Sequence, residues 1–115
     1  MRPAGYLDNL ALSDVALGRV RDQMLKAGLW EKSVVIVTSD HWWRYAAGFD
    51  GKMDQKVPFA VRFPGKQAGM LYQQPFNTIA LHDLTLQIVD NILRSPSDLI
   101  GWLPENAINA PPTKM

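Results

Sequence analysis

The sequence predicts an α/β fold, and three observations carry the prediction. Apolar residues from about Leu7 to Ala27 recur at the helical period. An unbroken β-branched run, Val34-Val35-Ile36-Val37-Thr38, follows and ends in Ser39-Asp40-His41. A second apolar run, Val57-Pro58-Phe59-Ala60-Val61-Arg62-Phe63, precedes a helical pattern from about Leu81 to Leu93. Helix, strand, long loop, strand, helix is an α/β order.

The first helix places Leu7, Leu10, Ala11, Leu17, Gly18, Met24 and Leu25 on one arc at about 100° per residue. Asp8 or Asn9 can cap its start, and Gly28 is its stop signal. Asp14 and Arg21 fall inside the apolar arc, so an ion pair or hydrogen-bonded groups on the packing face are expected there. The Val34–Thr38 run reads as a strand covered on both faces, the usual situation in a parallel sheet. Trp42 to Gln55 has no sustained period and contains Gly48 and Gly51, so it reads as a loop. In the second strand Pro58 can stand only at the start or on an edge, and Pro64-Gly65 ends the run. A weak extended piece surrounds Met70 to Tyr72. The last helix carries Leu84, Ile88 and Ile92 on one side, with Asp83 able to cap its first turn; Ser97 to Trp102 could add a further turn.

At 115 residues the chain is at most one domain, with a body over 1–103 and a flexible tail over 104–115 that carries Pro111-Pro112. Two strands alone are marginal and leave open edges, so the sheet reads as part of a larger one, and self-association through those edges is an expectation. The net charge of +1, with both signs interspersed, gives no reason to expect nucleic acid. No apolar stretch approaches the roughly 18 residues of a membrane span, and Met1 to Gly5 has no apolar signal-peptide core. The absence of cysteine excludes disulfides, thiolate ligands and a Cys nucleophile.

Ligands and catalytic groups in open α/β sheets sit just beyond the carboxyl ends of strands. Asp40 and His41 stand at such an end, where a carboxylate and an imidazole can share a metal ion or move a proton. Ser13, Ser33 and Ser39 lack a base partner in the sequence, so a serine nucleophile has no support. His82 is expected to pack or bond the backbone rather than to act as a ligand. Trp42 and Trp43 are expected to be buried against segments outside this chain.

The order Tyr6-Leu7-Asp8-Asn9, Asp14, Leu17-Gly18, Gly28-Leu29-Trp30, Val34 to His41, Val57-Pro58-Phe59, Pro64-Gly65 and Leu81-His82-Asp83-Leu84 resembles the C-terminal part of sulfatase-like hydrolases, of the alkaline phosphatase superfamily. The resemblance covers most of Tyr6 to Leu93, and the Ser-Asp-His turn is its most specific element. It implies a partial alkaline-phosphatase-like sheet with flanking helices, incomplete as a domain. It also implies that Asp40 and His41 are ligands of a divalent metal (calcium, manganese or zinc) acting on sulfate or phosphate esters. Arg44, Lys52 and Lys56 are the candidates for holding the anionic group. Family members commonly carry Gly after the His, where Trp42-Trp43 stands here. Their nucleophile and two further acidic ligands lie far upstream. The chain is therefore expected to be a fragment, inactive alone. Two other readings stay open: a non-enzymatic α/β interaction module, and a degenerate pseudoenzyme fragment.

Overall fold

The computed structural model describes residues 3–52 and 55–106 and divides them into two compact units, one up to Gly65 and one from Lys66.

The first unit opens with helix α1, Pro3–Lys26. Its start lies upstream of Asp8 and Asn9, which are therefore interior positions rather than caps. Pro3 suits the first turn, where its missing N–H has no intrahelical partner to lose. The stop is the one the sequence signals. Gly28 adopts φ +70°, its N–H donates to the Leu25 carbonyl (3.1 Å), and the Leu29 N–H donates to the Met24 carbonyl (2.8 Å). These two bonds form a Schellman motif, which favours glycine because other L residues are strained at that φ. A 3₁₀ turn, Trp30–Lys32, leads to strand β1, Val35–Thr38. A single helical turn α2, Ala47–Asp50, lies in the following loop, and strand β2 is Phe59–Arg62.

The sheet departs from the expected parallel, doubly covered one. β1 and β2 pair antiparallel, with Val35 opposite Arg62, Ile36 opposite Val61, Val37 opposite Ala60 and Thr38 opposite Phe59. Val37 is exposed and the other three β1 residues are half-buried. A β-branched run states strand propensity but not the direction of its partner, so the sequence could not distinguish the two arrangements. One sheet face, with Val35, Val37, Ala60 and Arg62, borders a groove of about 380 Å³ whose other wall is Asp14, Leu17, Gly18 and Arg21 of α1. α1 is thus loosely apposed to the sheet, and Leu7, Leu10, Leu12, Val15, Leu17, Val20 and Leu25 all stay exposed.

Asp14 and Arg21 do not form the expected pair. Seven residues separate them, about 10 Å along the helix. Arg21 instead lies over the Trp30 ring, 5.5 Å from its centroid. Arg62 covers the same ring at 4.2 Å, while its Nη1 donates to the Trp30 carbonyl (2.8 Å) and its Nη2 to Glu31 Oε1 (3.1 Å). One arginine thereby fastens the end of β2 to the turn before β1.

In the second unit a 3₁₀ turn, Thr78–Ala80, runs into helix α3, Leu81–Val89. The cap is Asn77, whose Oδ1 accepts the Ile79 N–H (3.0 Å), rather than Asp83. α3 ends at Val89, four residues short of the expected boundary at Leu93, and Asn91 follows with φ 60°, again in a Schellman pattern: Ile92 N–H to Gln87 (2.9 Å) and Asn91 N–H to Ile88 (3.0 Å). Helix α4, Pro96–Asn106, is longer than the single turn expected and carries three residues, Pro104 to Asn106, of the stretch read as tail; residues 107–115 lie outside the described ones. Ser95 Oγ accepts the Asp98 N–H (3.1 Å), and Asp98 Oδ2 accepts the Arg94 N–H (2.9 Å), with Pro96 at the first helical position. This is a capping-box variant. Ser95→Ala is expected to destabilise α4 by about 1 kcal/mol, read as a lower urea midpoint with unchanged slope. No strand forms around Met70 to Tyr72. Buried residues of this unit are Ala80, Leu84, Leu93, Leu99 and Leu103.

Candidate functional site

β1 delivers the chain into Ser39-Asp40-His41 directly after Thr38. The turn is closed by its own first residue, since Ser39 Oγ donates to the His41 carbonyl (2.7 Å). From the far side, the Trp43 ring stacks on Tyr6 of α1, with centroids 4.0 Å apart and planes 6° from parallel. Trp43 is thus held by a residue of this chain, in contrast to the expectation that it packs on segments outside it. Strand and stack anchor the turn from both ends.

His41 Nδ1 lies 2.7 Å from the Trp42 carbonyl, which can only accept, so Nδ1 carries the proton and donates. When the ring is neutral, that bond leaves the lone pair at Nε2. That atom faces Asp40 Oδ1 across 3.8 Å, beyond hydrogen-bond reach. Two electron-rich atoms facing each other suit a cation between them. Metal-binding histidines characteristically donate their second ring N–H to a backbone carbonyl or carboxylate, and the Trp42 carbonyl fills that role. The 3.8 Å span is less than two metal–ligand bonds of about 2.0–2.2 Å each, so one zinc-sized ion can touch both atoms. Both side chains are accessible, His41 at 54% and Asp40 at 89%, so entry is open and desolvation small.

The turn brings two potential donors together, Asp40 Oδ1 and His41 Nε2. Among the described residues no three His, Cys, Asp or Glu side chains come together. The chain's other acid–imidazole pair has a different geometry: His82 Nδ1 donates to Asp83 Oδ1 at 3.0 Å, so that carboxylate is engaged at the wrong nitrogen to share an ion with Nε2.

Of the anion-binding candidates, Arg44 and Lys52 are exposed and make no ion pair with Asp40 among the described residues. The Lys52 N–H donates to Asp50 Oδ1 (2.9 Å), which orders the backbone rather than the ammonium. Lys56 is exposed in the same loop. The structure therefore brings together Asp40 and His41, and leaves the three basic residues as loop positions. The sequence places Ser39 in the turn and offers no support for it as a nucleophile, but it does not assign Ser39, or the Trp42 carbonyl, a role in shaping the turn. A serine two residues before a potential acceptor carbonyl was the available signal.

The fold and turn define a small mixed α/β chain bearing an exposed, adjacent carboxylate–imidazole pair after its first strand. A curated ulvan-active sulfatase of Formosa agariphila is similar to part of it, 34% identical over 85 residues covering 64% of this chain and 16% of that protein. The chain thus spans about 16% of the length of that relative. No family model matches, and no solved structure matches.

Proposed function

We propose that this chain is a sulfatase-related fragment carrying two ligands of a divalent-metal site, Asp40 and His41. The observation that carries the reading is the convergence of Asp40 Oδ1 and His41 Nε2 at 3.8 Å, with Nδ1–H fixed on the Trp42 carbonyl. Partial similarity to a sulfatase favours a sulfate ester as the substrate class, with a phosphate ester as its chemical neighbour. When bound, zinc, manganese or calcium supplies Lewis-acid polarisation of the ester oxygens. Asp40 would hold the cation through a carboxylate oxygen and His41 through Nε2. Ser39 keeps the turn closed. Arg44, Lys52 and Lys56 supply positive charge in the neighbouring loop for an anionic ester. The two-stranded sheet is the supporting edge of an alkaline-phosphatase-like sheet in this reading.

Two protein ligands are fewer than catalytic zinc or calcium sites take, so neither the ion nor a water it would activate is held firmly in place. The purified chain is accordingly expected to show no turnover of chromogenic sulfate or phosphate esters with Ca²⁺, Mn²⁺ or Zn²⁺. Robust, metal-dependent turnover would contradict the fragment reading and make these 115 residues an enzyme in their own right.

A further inference from the structure

We propose that two copies of this chain pair antiparallel through the outer stripe of α1, formed by Leu12, Ala16 and Val20. The proposal does not depend on the sulfatase reading. α1 is apolar on more than one side. Its groove side carries Leu17 and Gly18. Leu12, Ala16 and Val20 stand at i, i+4 and i+8, so they form one stripe, centred about 160° around the helix from Gly18. All three are exposed, Leu12 at 66% and Val20 at 54%. A helix with apolar residues on opposed sides is normally covered on both.

Charge selects the occupant. Asp8 and Lys26 are 18 residues apart, about five full turns, so they lie on the same flank beside the stripe. Their midpoint, residue 17, nearly coincides with Ala16 at the centre of the stripe. A two-fold axis through that centre places Leu12 against the partner's Val20 and Ala16 against the partner's Ala16. It also brings each Asp8 within about 3 Å, along the axis, of the partner's Lys26. Both ends of the pair become complementary at once. Like charges are kept apart, since Arg19 and the partner's Arg19 are offset by about 9 Å along the helices, close to a Debye length at physiological salt. The small Ala16 at the crossing lets the helices approach to the usual 8–10 Å or so. The stripe supplies the attraction and the flanking charges set the direction.

Sedimentation equilibrium from about 1 µM to about 1 mM tests this, with the apparent mass expected to climb from 12.9 kDa towards twice that value. Leu12→Lys, and independently Val20→Lys, should hold the chain at monomer mass with its helical circular dichroism intact, because both sites are exposed. Asp8→Lys or Lys26→Glu alone should weaken pairing about tenfold, and the two together should restore it to within about threefold of the parent. A chain still monomeric at about 1 mM overturns the proposal, as does a dimer indifferent to both stripe variants, which would pair through its sheet edges. A dimer sensitive to the stripe but not to the single charge reversals overturns the antiparallel register.

Discussion

Leu84→Ala is expected to lower the stability of the second unit by about 2–5 kcal/mol. Leu84 is the one large side chain with no exposed surface among the described residues. It sits in the first turn of α3, after a 3₁₀ turn capped by Asn77, so backbone on both sides of it is already fixed by hydrogen bonds. Such a site collapses poorly around a deleted isobutyl group, and the cost is a lost transfer term plus a residual cavity. Few other residues can compensate: Ala80, Leu93, Leu99 and Leu103 are the remaining buried side chains of the unit. A loss of that size is comparable with the whole stability of many small domains. Urea unfolding followed by amide spectra of residues 66–106 should show those residues losing dispersion first. Leu84→Met, close in volume, should cost under about 1.5 kcal/mol. Equal effects of the two substitutions would contradict the assignment of Leu84 as a packed core position.

Arg62→Ala should weaken the first unit by about 2–3 kcal/mol. The guanidinium makes three contacts that no other side chain at this position can reproduce together: the Trp30 carbonyl, Glu31 Oε1 and the Trp30 ring at 4.2 Å. A hydrogen bond from a charged donor contributes about 1.5–3 kcal/mol and a cation–π contact about 0.5–1 where partly exposed. The Glu31 ion pair adds little, because Glu31 is 62% exposed and solvent screens it. Arg62→Lys keeps the charge and loses the planar fork, so it should recover under half of the loss. Glu31→Gln should be nearly silent. Trp30 fluorescence during denaturant unfolding reports all three variants, and a Glu31→Gln effect as large as Arg62→Ala would show that the ion pair, not the stack and carbonyl bond, fastens β2.

How far the sequence carried these features follows from how local each one is. The stop of α1 was legible because a glycine after a periodic apolar run has a single physical use, the left-handed residue of a Schellman motif. The start was misplaced because Asp8 and Asn9 are good caps in isolation, while Pro3 as a first helical residue signalled an earlier start. α4 was reduced to one turn although Ser95, Pro96 and Asp98 spell its N-terminus. Strand existence was legible at both sites. Strand direction and cover were not, because they are set by partners across 20 residues of loop. The clasp of Arg62 on Trp30 spans 32 residues and left no periodic trace. At the turn, Asp40 and His41 were legible as a pair from their place after an apolar run. Which nitrogen of His41 bears the proton was not, since that follows from the position of the Trp42 carbonyl. Asp14 and Arg21 show the opposite error: two charges on one arc invite a pair, but they are about two turns apart and Trp30 takes the arginine.

The central claim, that Asp40 and His41 form half of a metal site, is tested most directly by imidazole ¹⁵N spectra during zinc titration. The expected result is a selective shift at His41 Nε2 with Nδ1 still protonated, weakened about tenfold by Asp40→Ala. His82, whose carboxylate neighbour is engaged at Nδ1, should respond less at every zinc concentration. An equal response at His82, or a His41 response unchanged by Asp40→Ala, would contradict the account.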